Sequence, residues 1–492
     1  MSETVPTFAI VGAVNHGKSS VVSTLAENDQ VRISSMPGET VACQRFWLRD
    51  LFAFYDTPGF QNAIEALREL QPAARAREPL AVFRDFLVRH GSGQDFEAEC
   101  RLLEPIVNED AGIVYVVDGS EPLLEIHIAE MEILRLTGQP RLAIINRTKS
   151  EDHLEEWRRR LGLHFNAVRE FNAHHATFSD RVELLETLAG IEQRWKPRLM
   201  DAVAIFREEW EKRLDDCADI IGGLLEDALT HSETAAGSEL TSRQKVISEK
   251  LKAQFMRSVS EREAQAHRDL ILLFEHHRVK AAHSIDQVID SGLFSEETWR
   301  LFGLNERQLV VAGTIGGAAA GALFDLATAG HSIGLPTVLG AAGGAVGSFL
   351  MGKKRPEFKA KLPGAFPFGA GRQLQLSGRT LSVGPCQAVN FPWIILDRAF
   401  GVFCYLLGRT HARRDEATLG ASQLKEVLGQ YRANSAHWSD ENRKACERIF
   451  AAIRRNKSTA QHRDTLRLII RDQLAALSML QPTRAETHYA KP

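Results

Sequence analysis

Two regimes of hydrophobic patterning divide the chain. Up to about residue 195, short apolar runs alternate with stretches whose apolar residues recur at three and four, as a parallel sheet with covering helices requires. The runs at 8–12, 43–48, 52–56, 112–118, 141–146 and 166–171 are predicted as strands, and Phe8-Ala9-Ile10-Val11 reads as a buried one. Each run ends where a loop carries polar residues or glycine, and open α/β sheets bind ligands at those ends. Between 61 and 108, Ala63, Leu67, Leu70, Leu80, Phe83 and Leu87 have helical spacing, Gly91-Ser92-Gly93 breaks the run, and a further helix is predicted through Cys100 to Ile106. This segment reads either as an extended device that grips a partner or as packed helices.

Beyond Trp195-Lys196-Pro197 the alternation stops. Residues 199–300 are rich in Ala, Leu, Glu, Lys, Arg and Gln and lack Pro, which predicts long helices, with Phe255, Val259, Leu270, Leu273 and Phe274 along a helical stripe. The stretch 309–351 has no Lys, Arg or Glu and one Asp. In it Gly313, Gly317 and Gly321 recur at every fourth position, as do Gly340, Gly344, Ser348 and Gly352, so small residues line one face of each arm of a hairpin turning at 325–334. Two readings stay open: a hairpin in contact with lipid, its basic flank from Lys353 to 382 facing anionic headgroups, or a soluble glycine zipper buried between helices. Leu374-Gln375-Leu376 and Leu381-Ser382-Val383 predict a small β-element, after which helices resume through 394–407 and on to about 479.

Composition narrows the classes. A chain of 492 residues is too long for one core. Net charge is −3, so no global field draws nucleic acid, and no interleaved basic and aromatic stretch marks an RNA surface. Cys43, Cys100, Cys217, Cys386, Cys404 and Cys446 lie far apart, without a CxxC pair or zinc spacing, and read as reduced packing residues. The first residues lack the basic and apolar regions of a signal peptide, so a cytoplasmic domain is expected.

The candidate chemistry is concentrated near the start. Gly12-Ala13-Val14-Asn15-His16-Gly17-Lys18-Ser19 matches the phosphate-loop pattern GxxxxGK[ST], between a predicted strand and the helix opening at Ser20. Glycines let the loop turn tightly with its N–H groups inward, Lys18 reaches the outer phosphates, and Ser19 offers a hydroxyl to magnesium. Asp56-Thr57-Pro58-Gly59 closes a later strand. There an aspartate can hold a magnesium-bound water and a glycine N–H can turn toward a γ-phosphate. Between them, Thr40 in the polar loop 36–40 is placed to complete the magnesium shell.

These motifs resemble the translation-factor-related class of small GTPases, most closely the Era-like and tRNA-modifying group, over about 190 residues. The resemblance implies an α/β P-loop GTPase domain with a mostly parallel sheet, acting on GTP. It implies catalysis through Lys18, Thr40 and Gly59, and magnesium on Ser19, Thr40 and Asp56. Nucleotide contacts are implied at Gly12, Asn15, His16, Gly17, Lys18, Ser19, Ser20, Asn146, Arg147, Asn172, Ala173 and His174, with a potassium ion near Asn15. One detail sharpens the placement and one segment departs from the pattern. Phe60 follows Gly59 where Ras-like proteins place a glutamine that orients water, so water positioning falls to the backbone, a cation, Gln61 or a partner. Asn146-Arg147-Thr148-Lys149 replaces the guanine-reading Asn-Lys-x-Asp, and lysine cannot accept a hydrogen bond.

The whole chain looks like a bacterial family that joins a GTPase to a C-terminal domain of unknown function. The expected division is a GTPase domain at 1–197, a helical segment at 198–308, the glycine-rich hairpin at 309–352, a mainly helical region with the β-element at 353–482, and a tail at 483–492. The expected function is a GTP-hydrolysing switch coupled to a helical domain that contacts a membrane, a second copy or another protein, located in the cytoplasm or anchored by the hairpin at the inner membrane. The alternatives are a dynamin-like or pore-like membrane remodeller and, ranked lower, an RNA or ribosome assembly GTPase.

Overall fold

β1 (Thr7–Val11) is buried along its whole length, which is why its sequence carries no polar alternation. A computed structural model describes residues 5–13, 16–25, 44–48, 51–91, 93, 95–146, 153–172, 178–236, 240–274, 293–294, 298, 380–408 and 434–479. β1 lies between β3 (Phe52–Asp56) and β4 (Gly112–Asp118), both parallel to it. β5 (Arg141–Asn146) and β6 (Ala167–Phe171) extend the parallel sheet, and β2 (Gln44–Leu48) runs antiparallel beside β3. The order β2-β3-β1-β4-β5-β6 makes β1 the strand from which the chain goes one way to β3 and the other way to β4. A ligand crevice opens at such a switch point. All six expected strands are present, with ends shifted by no more than one residue.

Alternate strand residues enter opposite layers, as the period of two requires. Ala9, Val11, Tyr115 and Ile145 face α2 (Ala63–Ala76), α3 (Pro79–His90), α4 (Glu97–Asn108), α5 (Glu125–Leu136) and α6 (Leu154–Leu161). Phe8, Ile10, Phe54 and Val116 face α1 (Lys18–Leu25), α7 (Phe178–Ile191) and the start of α8 (Lys196–Thr230). The segment 61–108 is therefore packed helix. Val82, Phe83, Phe86, Leu102, Leu103 and Ile106 are all buried against the sheet. α3 starts where it does because the Glu78 side chain accepts from the Leu80 and Ala81 N–H groups and Pro79 occupies the first turn.

The expected boundary at 197 falls in the first turn of α8, and the helix runs on without a break. Leu199, Ala202 and Val203 complete the sheet's covering layer, while Trp210, Leu214, Ile221 and Leu225 belong to a second core. One helix is thus shared by two cores. Phe178 of α7 stacks on Trp210 with centroids 4.8 Å apart, and Trp210 meets Phe274 edge-on at 6.2 Å.

The second core joins α8 to α9 (Leu240–Leu273), α10 (Phe391–Gly408), α11 (Asp440–Arg454) and α12 (Ala460–Met479). The long helices expected over 199–300 are α8 and α9, and most of 275–300 lies outside the described residues. β7 (Glu233–Ala236) separates α8 from α9 and pairs antiparallel with β8 (Thr380–Val383). The expected β-element is thus half local, because residues 381–383 find their partner about 150 residues earlier in the chain. Leu374-Gln375-Leu376, the hairpin 309–352, its basic flank to 379 and the tail 483–492 lie outside the described residues. α10 is nearly all apolar yet has two charges at its middle. Arg398 pairs with Glu263 of α9 at 2.7 and 3.1 Å, and Asp397 accepts from the Ser435 N–H and hydroxyl at 2.9 and 3.1 Å. Paired buried charges suit a core helix. Among the described residues no helix is long and apolar enough to cross a membrane. The five described cysteines are free and buried, as expected, and Cys43 lies outside the described residues.

One carboxyl in the first core is set apart by its surroundings. Glu130 of α5 accepts from the buried Tyr115 hydroxyl at 2.6 Å, and burial pushes its pKa up to about 7. Folding therefore favours its protonated form, so this group's contribution to stability falls as pH rises from 4.5 toward 7. Glu130→Gln keeps an acceptor for Tyr115 and removes the ionisation. Relative to the parent it is expected to be more stable at pH 8 than at pH 5, by on the order of 2–3 kcal/mol in guanidinium melts. Leu199→Ala is expected to cost about 2–5 kcal/mol in urea unfolding of the N-terminal domain. An unchanged midpoint would mean that α8 contributes nothing to the sheet's core.

Candidate functional site

The loop between β1 and α1 needs glycine at two points for steric reasons. Gly12 has φ +148°, and a Cβ there would lie 2.1 Å from the Val116 carbonyl oxygen; Gly17 has φ +88°, and its Cβ would lie 2.3 Å from Asn146 Nδ2. The backbone can pass that close to β4 and β5 only without side chains. Lys18 opens α1 and is 8% exposed. Its Nζ donates to the Gly12 and Ala13 carbonyl oxygens, 2.9 Å each. An ammonium has three donors, so one is left to point at a ligand in the loop. Burial lowers the Lys18 pKa, and the carboxylates of Asp56 and Glu130 oppose that shift.

Three strand ends converge here. Asp56 ends β3 in register with Ile10 and is buried. Thr57, fully buried, donates its hydroxyl to the Ile10 carbonyl at 2.7 Å, tying the Asp56-Thr57-Pro58-Gly59 turn to β1. Asn146, paired with Asp118 at the end of β5, donates Nδ2 to the His16 carbonyl at 3.2 Å. This is the expected link from Asn146 to the loop between β1 and α1. Asp118 in turn accepts from the Ser120 N–H at 2.9 Å and hydroxyl at 2.7 Å.

His16 points away from the loop's interior. Its ring is buried, Nε2 lies 3.4 Å from Glu121 Oε2, and the His127 ring is 5.5 Å away. Burial lowers its pKa, and the nearby Glu121 carboxylate opposes that shift. Its backbone carbonyl, which receives Asn146, is the part that serves the site. Ser20 is buried in the first turn of α1, and Ser19 lies in that turn. Gly59 is buried, Phe60 is packed into the core beneath the sheet, and Gln61 is exposed. Asn172 follows β6 and is half-buried. Asn15, Thr40, Arg147, Ala173 and His174 lie outside the described residues, as does the side chain of Ser19. Among the described residues no cluster of three His, Cys, Asp or Glu side chains could hold a metal.

Sequence reasoning missed Thr57, Glu121, His127 and two buried acids, Glu99 and Glu130. The acids did carry a signal. Glu99 shares a helical stripe with Leu102, Leu103 and Ile106, and Glu130 with Ile133 and Leu134, so each is a carboxylate on an apolar face. Fully buried glutamates are rare unless they are partnered. The arrangement as a whole can bind an anion: a buried ammonium, a helix N-terminus and a glycine-lined turn face the same crevice.

Comparison with known proteins agrees with this geometry. Residues 7–147 match the family described as "50S ribosome-binding GTPase", and residues 158–476 match "Domain of unknown function (DUF3482)". The chain is 32% identical over 108 residues to "Probable GTP-binding protein EngB" of Ligilactobacillus salivarius, covering 20% of this chain and 54% of that protein. It is 28% identical over 148 residues to the protein of that name from Pelotomaculum thermopropionicum, covering 30% and 62%. The chain thus spans between half and two thirds of the length of these relatives. Among solved structures it is similar to Era in complex with MgGDPNP and nucleotides 1506–1542 of 16S ribosomal RNA, at 16% identity and a TM-score of 0.27, over 38% of this chain and 57% of that one. With a P-loop GTPase domain ahead of a mainly helical region matched over 158–476, the chain belongs to the DUF3482 family.

Proposed function

We propose that the N-terminal domain binds GTP with magnesium, hydrolyses it, and passes its nucleotide state to the helical domain. One observation carries this reading: the buried Lys18 ammonium, clasped by two carbonyls of its own glycine loop, which use two of its three donors. Such a group holds the β- and γ-phosphates and offsets charge that develops on them. Asp56 is a buried hard-oxygen donor at the neighbouring strand end, and Ser19 stands in the first turn of α1, a donor set that fits magnesium. Thr40 is assigned as the ligand that arrives with the triphosphate, and Asn15 as the potassium ligand. When bound, magnesium neutralises phosphate charge. The chain's own part is to place the γ-phosphate against the Gly59 N–H.

Phe60 is packed in the core, so its side chain does not orient water. The backbone of 59–60 takes that task. The assignment of GTP rests on the relatives' names, since Asn146-Arg147-Thr148-Lys149 lacks the guanine-reading carboxylate; Asn146, Arg147, Asn172, Ala173 and His174 are assigned to the base side. Coupling to the helical domain runs along α8, which has residues in both cores. The partner of that domain is assigned to the cytoplasmic face of a membrane, met through 309–382, or to a second copy of the chain. The family description of the N-terminal match favours a second reading, a GTPase acting on the ribosome.

Lys18→Ala is expected to weaken GTP binding and to lower hydrolysis by about 100-fold, with the fold retained in circular dichroism. Unchanged occupancy and turnover would remove the basis of the proposal. The partner is read by sedimenting the full chain with ribosomes and floating it with anionic vesicles, each with GDP and with a non-hydrolysable GTP analogue. The first reading expects flotation that is lost when 309–352 is deleted, and the second expects salt-sensitive sedimentation with ribosomes.

A further inference from the structure

Glu99 is fully buried on α4, within the segment 61–108, and takes no part in the phosphate loop. Its Oε1 accepts from two consecutive backbone N–H groups, Gln61 at 2.7 Å and Asn62 at 2.6 Å. Asn62 Nδ2 also donates to the Asp95 carbonyl, just ahead of α4, at 3.0 Å. Three hydrogen bonds thus fasten the far end of the Asp56-Thr57-Pro58-Gly59 turn to this helix. The near end is fastened by the Thr57 hydroxyl on the Ile10 carbonyl. Gly59 lies between the two anchors, and Phe60 beside it is packed in the core.

The carboxylate's hydrogen bonding is spent wholly on this turn. Oε2 is buried with no hydrogen-bond partner. A carboxylate placed in an apolar layer is costly unless its bonds are charge-assisted and well aimed. These are, because α2 begins at Ala63, its N-cap Asn62 makes no side-chain cap, and Glu99 puts negative charge at the helix N-terminus. A packing role alone would be met by leucine, which Leu102 and Leu103 supply on the same stripe.

We infer that Glu99 is the positioning residue of the Asp56-Thr57-Pro58-Gly59 turn: it holds the Gln61 and Asn62 amides so that the Gly59–Phe60 backbone ahead of them meets the γ-phosphate and the attacking water. The inference rests on the reading of Gly59 given above. It suits a turn in which Phe60 cannot orient water, since a backbone that must orient water needs a rigid hold from outside the loop. α4 and the residue Asp95 just ahead of it supply that hold.

The test uses the full chain with Glu99→Ala, Glu99→Gln and Glu99→Asp. Three quantities are measured: single-turnover GTP hydrolysis, affinity for GDP, and hydrogen exchange of peptides covering 57–66 with GDP and with a non-hydrolysable GTP analogue. Glu99→Ala is expected to lose at least 10-fold in hydrolysis and the protection of the Gln61 and Asn62 amides, with GDP affinity within about twofold of the parent. Glu99→Gln, which keeps an acceptor at the same reach, is expected to recover most of both. Glu99→Asp, one methylene too short, is expected to fall with Ala; it decides the matter if the Ala variant does not fold. Parent-like hydrolysis and protection in Ala or Asp overturns the inference, as does a parallel loss of GDP affinity, the mark of a merely structural role. Failure of the underlying reading looks different: the parent itself releases no phosphate, and adding the triphosphate analogue leaves its exchange over 57–66 unchanged.

Discussion

A cation buried in a glycine turn is the constraint on which the N-terminal domain is built. The Lys18 ammonium sits at 8% exposure, and a charge so placed must be surrounded by oriented oxygen atoms. The carbonyls of Gly12 and Ala13 supply two, and the Asp56 and Glu130 carboxylates supply the field beyond them. To bring those carbonyls round, the loop must turn in conformations only glycine adopts freely and pass within contact of Val116 and Asn146. Those neighbours belong to β4 and β5, so the order of the parallel sheet and the shape of the loop are one requirement.

The same need for compensation recurs in the second core. Asp397 and Arg398 stand side by side in the middle of α10, the most apolar helix described, and each is held by a different element: Ser435 for the acid, Glu263 of α9 for the base. Removing one partner of such a pair leaves a bare charge in the interior, so the pairs fix which elements may surround α10. Hydrophobic area alone would tolerate several packings of these helices. The buried charges select among them.

Among the described residues the two cores are joined by unbroken helix. α8 enters the sheet's covering layer with Leu199 and Val203 and leaves it with Trp210 in the helical core, where Phe178 of α7 stacks on the indole. On the outer side of the helical core, Arg467 and Arg471 of α12 pair with Asp215, Asp219 and Glu211 of α8. α7 and the first turns of α8 are thus joined to the second core by one continuous helix. Displacement of a packed helix is how such coupling usually travels.

The sequence by itself determined the six strands, the phosphate loop and its lysine, the aspartate turn and the change to helices near 195, because each rests on a local period or a short-range steric demand. It also pointed to Asn146 as the tie to the loop. Whether 61–108 gripped a partner or packed on the sheet, that one helix would serve two cores, and that 381–383 would pair with 233–236 were decided only in three dimensions, since none of these leaves a mark in local spacing. The role of Glu99 is of the same kind. A lone glutamate on an apolar stripe announces that something must receive its charge, but only the packing of α4 against the start of α2 brings the Gln61 and Asn62 amides, some forty residues earlier in the chain, within 2.7 Å of it.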